Sequence, residues 1–259
     1  MNEANQIGVA TNLYGFIAVE AQQNRFAAAL NRLFKAGGDD AMMIPMNIRE
    51  DDFYFTLSNM KRSQVKGAVL GSEYQKEVIE LLDDPSSMVR QCGFCDIVTV
   101  SNERLQGDII TVESVMKLFA GEKARKIAVI GSGALARAIA LRSEGMELSF
   151  FHEHIESLLE MAQAIALDDI DINRCAEGMA VDLSGYDAVL DASGAQTLSM
   201  VTVLPKLCVD LKAEDAVSAL RQRCSELQVD YTGYEKMLPY LTQSAYDFWQ
   251  TKQTTEKAV

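Results

Sequence analysis

Histidine is nearly absent from this chain of 259 residues: it occurs only at positions 152 and 154, so any mechanism that needs a histidine elsewhere is excluded. Basic side chains are scarce too. The chain has 24 Lys and Arg against 37 Asp and Glu, a net charge of -13. A broad nucleic-acid surface draws on clustered Lys and Arg, so this balance argues against one, and against an anionic membrane surface for the same reason. A local anion pocket stays compatible with it. No run of about 18 apolar residues occurs, so no transmembrane helix is expected. Residues 1–6 are polar and lack the charged-then-apolar layout of a signal peptide, which makes the cytoplasm the expected location. The five cysteines (Cys92, Cys95, Cys175, Cys208 and Cys224) are odd in number and spread along the chain, a usage that fits reduced thiols better than a disulfide framework. Cys92-Gly-Phe-Cys95 has no second pair at matching spacing to complete a zinc site, so buried thiols are expected and no metal.

What is present is enough for a sizeable core: 48% of the residues are hydrophobic and 24% charged. At about 150 residues per domain the length corresponds to roughly 1.7 domains. Strand-like and helix-like segments alternate almost throughout, the pattern of an α/β fold with mainly parallel sheets. Strands are expected at 7–10, 41–46, 66–70, 126–130, 147–151, 188–190, 207–209 and 227–231. Phe26, Leu30, Leu33 and Phe34 trace one helical face that Gly37-Gly38 can end. Helices are also expected over 51–62, along Tyr74, Val78, Leu81 and Leu82, and along Val112, Val115, Met116 and Phe119. Further helices fall on 134–142 and 155–165, and along Leu238, Leu241, Ala245, Phe248 and Trp249. Residues 83–87 form a break, and the polar 251–259 stretch is expected to fray. There is no internal repeat and no low-complexity tract.

The sharpest motif is Gly131-Ser132-Gly133-Ala134-Leu135-Ala136, a G-x-G-x-x-A that directly follows an expected strand and opens an expected helix. Such a turn suits a dinucleotide. Gly131 permits the tight turn, Gly133 lets the backbone approach a pyrophosphate, and Ala136 keeps the helix close to the sheet. The pyrophosphate then meets the free N–H groups of a helix N-terminus. Glu153, at the end of the next strand, stands where a carboxylate accepts from ribose hydroxyls. Facing a 2′-phosphate it would be repulsive by a few kcal/mol, on the order expected at an effective dielectric of about 20, so NAD is preferred over NADP. His152 and His154 flank that acid, either as adenine-stacking groups or as surface loop residues. The competing reading of the glycine turn is a packed βα unit that binds nothing.

Four segments resemble the shikimate/quinate dehydrogenase family. They are Gly67-Ala-Val-Leu70 with Tyr74–Asp83, the hairpin Cys92–Asn102 with Leu105-Gln-Gly107, the turn Gly131–Arg137, and the closing Ala245-Tyr-Asp-Phe-Trp249. The resemblance implies a two-lobed chain: an N-terminal α/β substrate-type domain over 1–106 plus 238–259, a Rossmann-like dinucleotide-binding domain over 107–237, and a last helix returning to the first domain. It also implies hydride transfer between a nicotinamide cofactor and a ring hydroxyl, with a Lys and an Asp moving the proton. Here the Lys position falls on Gln75 and the Asp position on Thr111, whose companion Asn falls on Ile109. The hairpin Asn falls on Asp96, the Ser-Lys-Ser that holds the substrate carboxylate falls near Ile17-Ala-Val19, and the Asn-Arg-Thr that binds a 2′-phosphate becomes His152-Glu-His154.

Lys76 and Asp108 are the titratable neighbours of the two displaced positions and the candidates for proton transfer. Their competing readings are a solvated helix residue and a hairpin-turn residue. By the resemblance, Tyr74, Gln75, Asp96 and Thr111 line the substrate side, and Ser193 joins Gly131, Ser132, Gly133, Ala134, Leu135, His152 and Glu153 on the cofactor side. Asp96 facing that site would repel an acid, which argues against shikimate as the ligand. Three readings follow. The first is an NAD(P)-dependent oxidoreductase acting on a small hydroxylated substrate other than shikimate. The second is a catalytically silent relative that binds a dinucleotide or metabolite, and the third an interaction scaffold. Small-molecule ligands and a monomer or homodimer are expected, with neither nucleic acid nor membrane.

Overall fold

A computed structural model of the chain describes residues 11–167, 169–213 and 216–257. The strand expected at 7–10 lies outside them. The described residues fall into two compact units, one running to Thr111 and resuming at Leu241, the other spanning Val112–Tyr240.

The first unit holds β1 (Asn12–Ala18), α1 (Phe26–Gly37), β2 (Ala41–Asn47), α2 (Glu50–Met60), β3 (Val65–Leu70), β4 (Asp84–Pro85), α3 (Ser87–Cys92), β5 (Ile97–Ser101) and β6 (Arg104–Asp108). Its sheet runs in the order β2-β1-β3-β5-β6-β4. The first three strands are parallel, while β5 pairs antiparallel with both β3 and β6. The second unit holds most of α4 (Thr111–Gly121), then β7 (Lys126–Ile130), α5 (Ala134–Leu141), β8 (Glu147–His152), α6 (Ile155–Ala164), β9 (Asp171–Arg174), β10 (Val181–Asp182), β11 (Ala188–Asp191), β12 (Val201–Val203), β13 (Leu207–Val209), α7 (Ala219–Leu227), β14 (Tyr231–Thr232) and the start of α8 (Tyr234–Lys257). Its main sheet is wholly parallel, ordered β14-β13-β11-β7-β8-β9.

Continuous apolar runs make these strands, as they must where both faces of a parallel sheet are covered. Lys126–Ile130 is buried from its second residue onward. The inner strand β1 shows no alternation for the same reason: its last five residues are all buried. In the first unit, α8 lies against the sheet where β3 has Gly67, and a Cβ there would come within 2.9 Å of Trp249 Nε1. The Trp249 ring stacks on Tyr14 at 4.1 Å between centroids. In the second unit, Ile130, Phe151, Val189, Leu198 and Leu220 share one core.

Four expectations change. Residues 74–83 do not form an α-helix: turns lead into a short 3-10 segment, Glu77–Leu81. The Gln75 carbonyl accepts from Cys95 N at 2.8 Å and is thereby lost to a helical ladder. Within the 83–87 break, Asp84–Pro85 pairs as a short strand and Ser86 caps α3 by accepting from Val89 N. The strand expected over 227–231 is instead the end of α7, an αL residue at Gln228 and two strand residues, Tyr231–Thr232. Ser218 caps α7 by accepting from Arg221 N, and Ala-Leu-Arg-Gln-Arg is a good helix-forming start. The last helix continues through Lys257 rather than fraying at 251.

Candidate functional site

In the second unit, β9, β8 and β7 lie on one side of the sheet and β11, β13 and β14 on the other. The strand order therefore reverses between β7 and β11. Open α/β sheets bind ligands outside the carboxyl ends of their strands at such a switch point. The glycine turn lies there. Gly131 has φ 123°, its N–H donates to Phe151 O at 2.9 Å, and Ala192 N donates to Ile130 O at 2.8 Å. A Cβ on Gly131 would approach Ala192 O to 2.8 Å, so conformation and space both demand glycine.

Gly133 differs. It is the exposed N-cap of α5 with an ordinary φ of -76°, and a Cβ there would meet nothing within 4 Å. Nothing inside the protein requires glycine at this position, while the space before the helix N-terminus is open to a ligand. Ser132, Ala134 and Leu135 are half-buried around it, and Ala136 is buried where α5 meets the sheet. These residues fit a dinucleotide pyrophosphate: open N–H groups, the positive end of a helix dipole, and no side chain in the way.

Glu153 is exposed one residue beyond β8, on the adjoining strand. His152 Nδ1 lies 3.0 Å from His154 N, whose N–H donates to it. That contact closes the turn around Glu153 and leaves the two imidazole rings 5.9 Å apart. At the end of β11, Ser193 donates both its N–H (2.9 Å) and its hydroxyl (2.5 Å) to Asp191 Oδ1. Its hydroxyl oxygen in turn accepts from Ala195 N at 3.2 Å. Ser193 thus shapes the loop against which Gly131 packs.

The residues matched to the substrate side fare otherwise. Tyr74 is fully buried, stacked on Phe53 at 4.2 Å, and its hydroxyl donates to Ile48 O, so it is a core residue. Burial pushes its phenol up to about 12. Gln75 is half-buried and donates its side-chain amide to Leu70 O at 3.3 Å. Lys76 is exposed just ahead of the 3-10 segment. Asp108 is half-buried at the end of β6, accepting from Ser86 Oγ at 2.9 Å and from Ile109 N at 2.9 Å. It lines a recess of about 210 Å³ with Asp84, Gln106, Phe248 and Lys252.

Asp96 has a different task from the one its place in the sequence suggests. It is buried, and its two oxygens accept from Ile110 N at 2.7 Å and Thr111 N at 2.8 Å, holding the start of α4. Burial raises its carboxyl to about 6, against the downward pull of those N–H groups and the Thr111 hydroxyl. Thr111 is the first residue of α4 and part of this cap. Asp96 therefore offers no carboxylate to repel an acid: its charge is turned into the helix N-terminus.

Sequence reasoning missed the polar cluster at the ends of β11 and β13. Asp210, fully buried, accepts from Lys212 N at 3.1 Å, from Tyr231 Oη at 2.5 Å and from the Ser218 hydroxyl. Lys212 Nζ lies 3.6 Å from Asp191 Oδ2. An aspartate at the carboxyl end of each of two neighbouring strands was the available signal. All five cysteines are free and buried, and among the described residues no group of three or more His, Cys, Asp and Glu is placed to hold a metal. Among the same residues no helix is long and apolar enough to cross a membrane.

No protein-family model matches the chain. In sequence it is 25% identical over 171 residues to shikimate dehydrogenase (NADP(+)) of Aquifex aeolicus, a match covering 64% of each chain. The chain thus spans about two thirds of the length of that curated relative, and less of the others it matches. In fold it is similar to shikimate 5-dehydrogenase of Listeria monocytogenes, solved with shikimate and NAD (TM-score 0.71, 15% identity, 95% of this chain and 94% of that one). It is also similar to 5-ketofructose reductase of a Gluconobacter strain (TM-score 0.69, 17% identity, 91% of each). On sequence and fold together, the chain is similar to shikimate dehydrogenases, at modest identity.

Proposed function

We propose that the chain is an NAD(P)-dependent oxidoreductase that moves a hydride between the nicotinamide and a small hydroxylated substrate other than shikimate. One observation carries the reading: Gly133 is glycine where the protein itself has no need of one, at an open helix N-terminus on the switch point of a parallel sheet. When bound, the dinucleotide supplies the hydride chemistry. The chain's residues bind and orient it. The backbone from Gly131 to Leu135 holds the pyrophosphate, and Glu153 accepts from the adenosine ribose. Because Glu153 stands where a 2′-phosphate would sit, NAD is the preferred cofactor.

The loss of hydroxyls near Ile17, Ala18 and Val19 supports a substrate other than shikimate, since Ile17 and Ala18 are buried apolar residues of β1. The fold neighbour that reduces a keto sugar makes polyols and ketoses the first compounds to try. A second reading is favoured by Gln75 and Thr111: both positions carry side chains that cannot serve as the expected acid or base, and both are tied into local backbone bonds. On that reading the protein binds the dinucleotide and turns nothing over.

Calorimetry with NAD and NADP, followed by a spectrophotometric screen of polyols, ketoses and hydroxy acids, separates the readings. Tight NAD, weaker NADP and turnover support the enzyme. NAD binding without turnover across the panel supports the silent relative. No binding of either nucleotide at millimolar concentration overturns both.

A further inference from the structure

Asp191 and Lys212 form an ion pair that the fold places at a defined point of the second unit. Asp191 ends β11, in register with Ile130 just before the glycine turn, and Lys212 follows the neighbouring strand β13. The glycine turn after β7 and Glu153 after β8 take the adenosine half of a dinucleotide. Its other half therefore extends across the ends of β11 and β13, because the two mononucleotide halves of such a sheet meet at the switch point.

The pair is graded in depth. The Asp191 side chain has no exposed surface, whereas that of Lys212 is 23% exposed. Oδ1 of Asp191 is satisfied by Ser193. Oδ2 is buried without a hydrogen-bond donor and faces the Lys212 ammonium at 3.6 Å. A buried acceptor without a donor is costly, and a structural ion pair at hydrogen-bonding distance would remove that cost. Asp210, the other carboxylate here, is already held by Tyr231, Ser218 and the Lys212 backbone. The ammonium is thus the charged group of this cluster that reaches the surface.

We propose that Lys212, positioned by buried Asp191, is the cation that meets the nicotinamide end of the bound dinucleotide, and that this pair sets the preference between its oxidised and reduced forms. The oxidised ring carries a positive charge and the reduced ring none, so only a charged group near the ring separates the two by charge. Lys212 alone favours the reduced form and Asp191 alone the oxidised form. Together they nearly balance, leaving a tilt toward the reduced form because the lysine is the nearer, exposed member.

The inference rests on the dinucleotide reading above, and its test distinguishes the two. NAD⁺ and NADH are titrated calorimetrically into the wild-type protein, Lys212→Met, Lys212→Gln and Asp191→Asn, with the melting temperature of each variant measured alongside. The ratio of the NAD⁺ to the NADH dissociation constant should fall about tenfold in both Lys212 variants and rise about tenfold in Asp191→Asn. Two lysine variants guard against one that fails to fold, and Asp191→Asn keeps the side chain's shape. Equal ratios in the wild type and all folded variants overturn the assignment of Lys212 and leave dinucleotide binding intact. A wild-type protein that binds neither nucleotide overturns the dinucleotide reading itself.

Discussion

Two buried aspartates, one in each unit, stand at strand ends and meet opposite fates. Asp96, just before β5, gives each oxygen to a backbone N–H of α4. Asp191, at the end of β11, keeps one oxygen without a hydrogen-bond donor, beside a partly exposed lysine. Elsewhere the contrast repeats: Gln75, Thr111, Tyr74 and Asp108 of the first unit are engaged in hydrogen bonds within that unit, while the glycine turn of the second presents an open helix end. Polar groups in the first unit hold the fold together; at the carboxyl edge of the second, Ser193 and Asp210 do the same, while the start of α5 is open and Lys212 is partly exposed.

The comparison can be broken at several points. The largest effect is expected at Gly131. Gly131→Ala places a Cβ against Ala192 O in a backbone conformation that side chains rarely adopt, and should cost about 3 kcal/mol, read as a lowered urea midpoint, with nucleotide binding lost.

Asp96 comes next. Its carboxyl is raised to about 6 in the folded protein, so the native state holds this proton more tightly than the unfolded chain does. The resulting stabilisation is fully present below the unfolded value of about 4 and disappears as pH rises through 6, a loss of roughly 2–3 kcal/mol between pH 4 and 7. Denaturant titrations at both pH values should show this slope in the wild type and a flatter one in Asp96→Asn. An equal slope would mean that Asp96 is charged throughout and fully paid for by its helix.

Glu153→Ala should narrow the gap between NADP and NAD affinity about tenfold, by removing a carboxylate from the place of the 2′-phosphate, with little change in melting temperature. The smallest effect is expected at Lys76. It is exposed, so Lys76→Ala should stay within about 0.5 kcal/mol in stability and leave nucleotide binding unchanged. A large loss of turnover in that variant would return the proton chemistry to the first unit and weaken the contrast.

The second unit was the more legible in sequence because its signals are local. A compact apolar strand, a glycine turn, a helix and an acid after the next strand follow one another within a short stretch, and the structure has β7, α5 and β8 where the residues put them. Non-local bonds hid the rest. The apolar face of Tyr74, Val78 and Leu81 reads as an α-helix, and only the bond from Cys95 N to the Gln75 carbonyl shows why it is not one. The task of Asp96 depends on α4 starting beside it, which spacing along the chain does not reveal. Asp191 ends β11 and Lys212 follows the neighbouring strand β13, and their pairing follows from strand order, a property of the fold rather than of any local run.

The central claim is that a dinucleotide pyrophosphate occupies the open space before α5, and Gly133→Ala tests it most directly. Because a Cβ there meets no protein atom within 4 Å, the variant should melt within a degree or so of the wild type. Calorimetric titration with NAD should nevertheless show at least a tenfold loss of affinity. Equal NAD affinity in the two proteins, or no NAD binding by the wild type, would contradict the account.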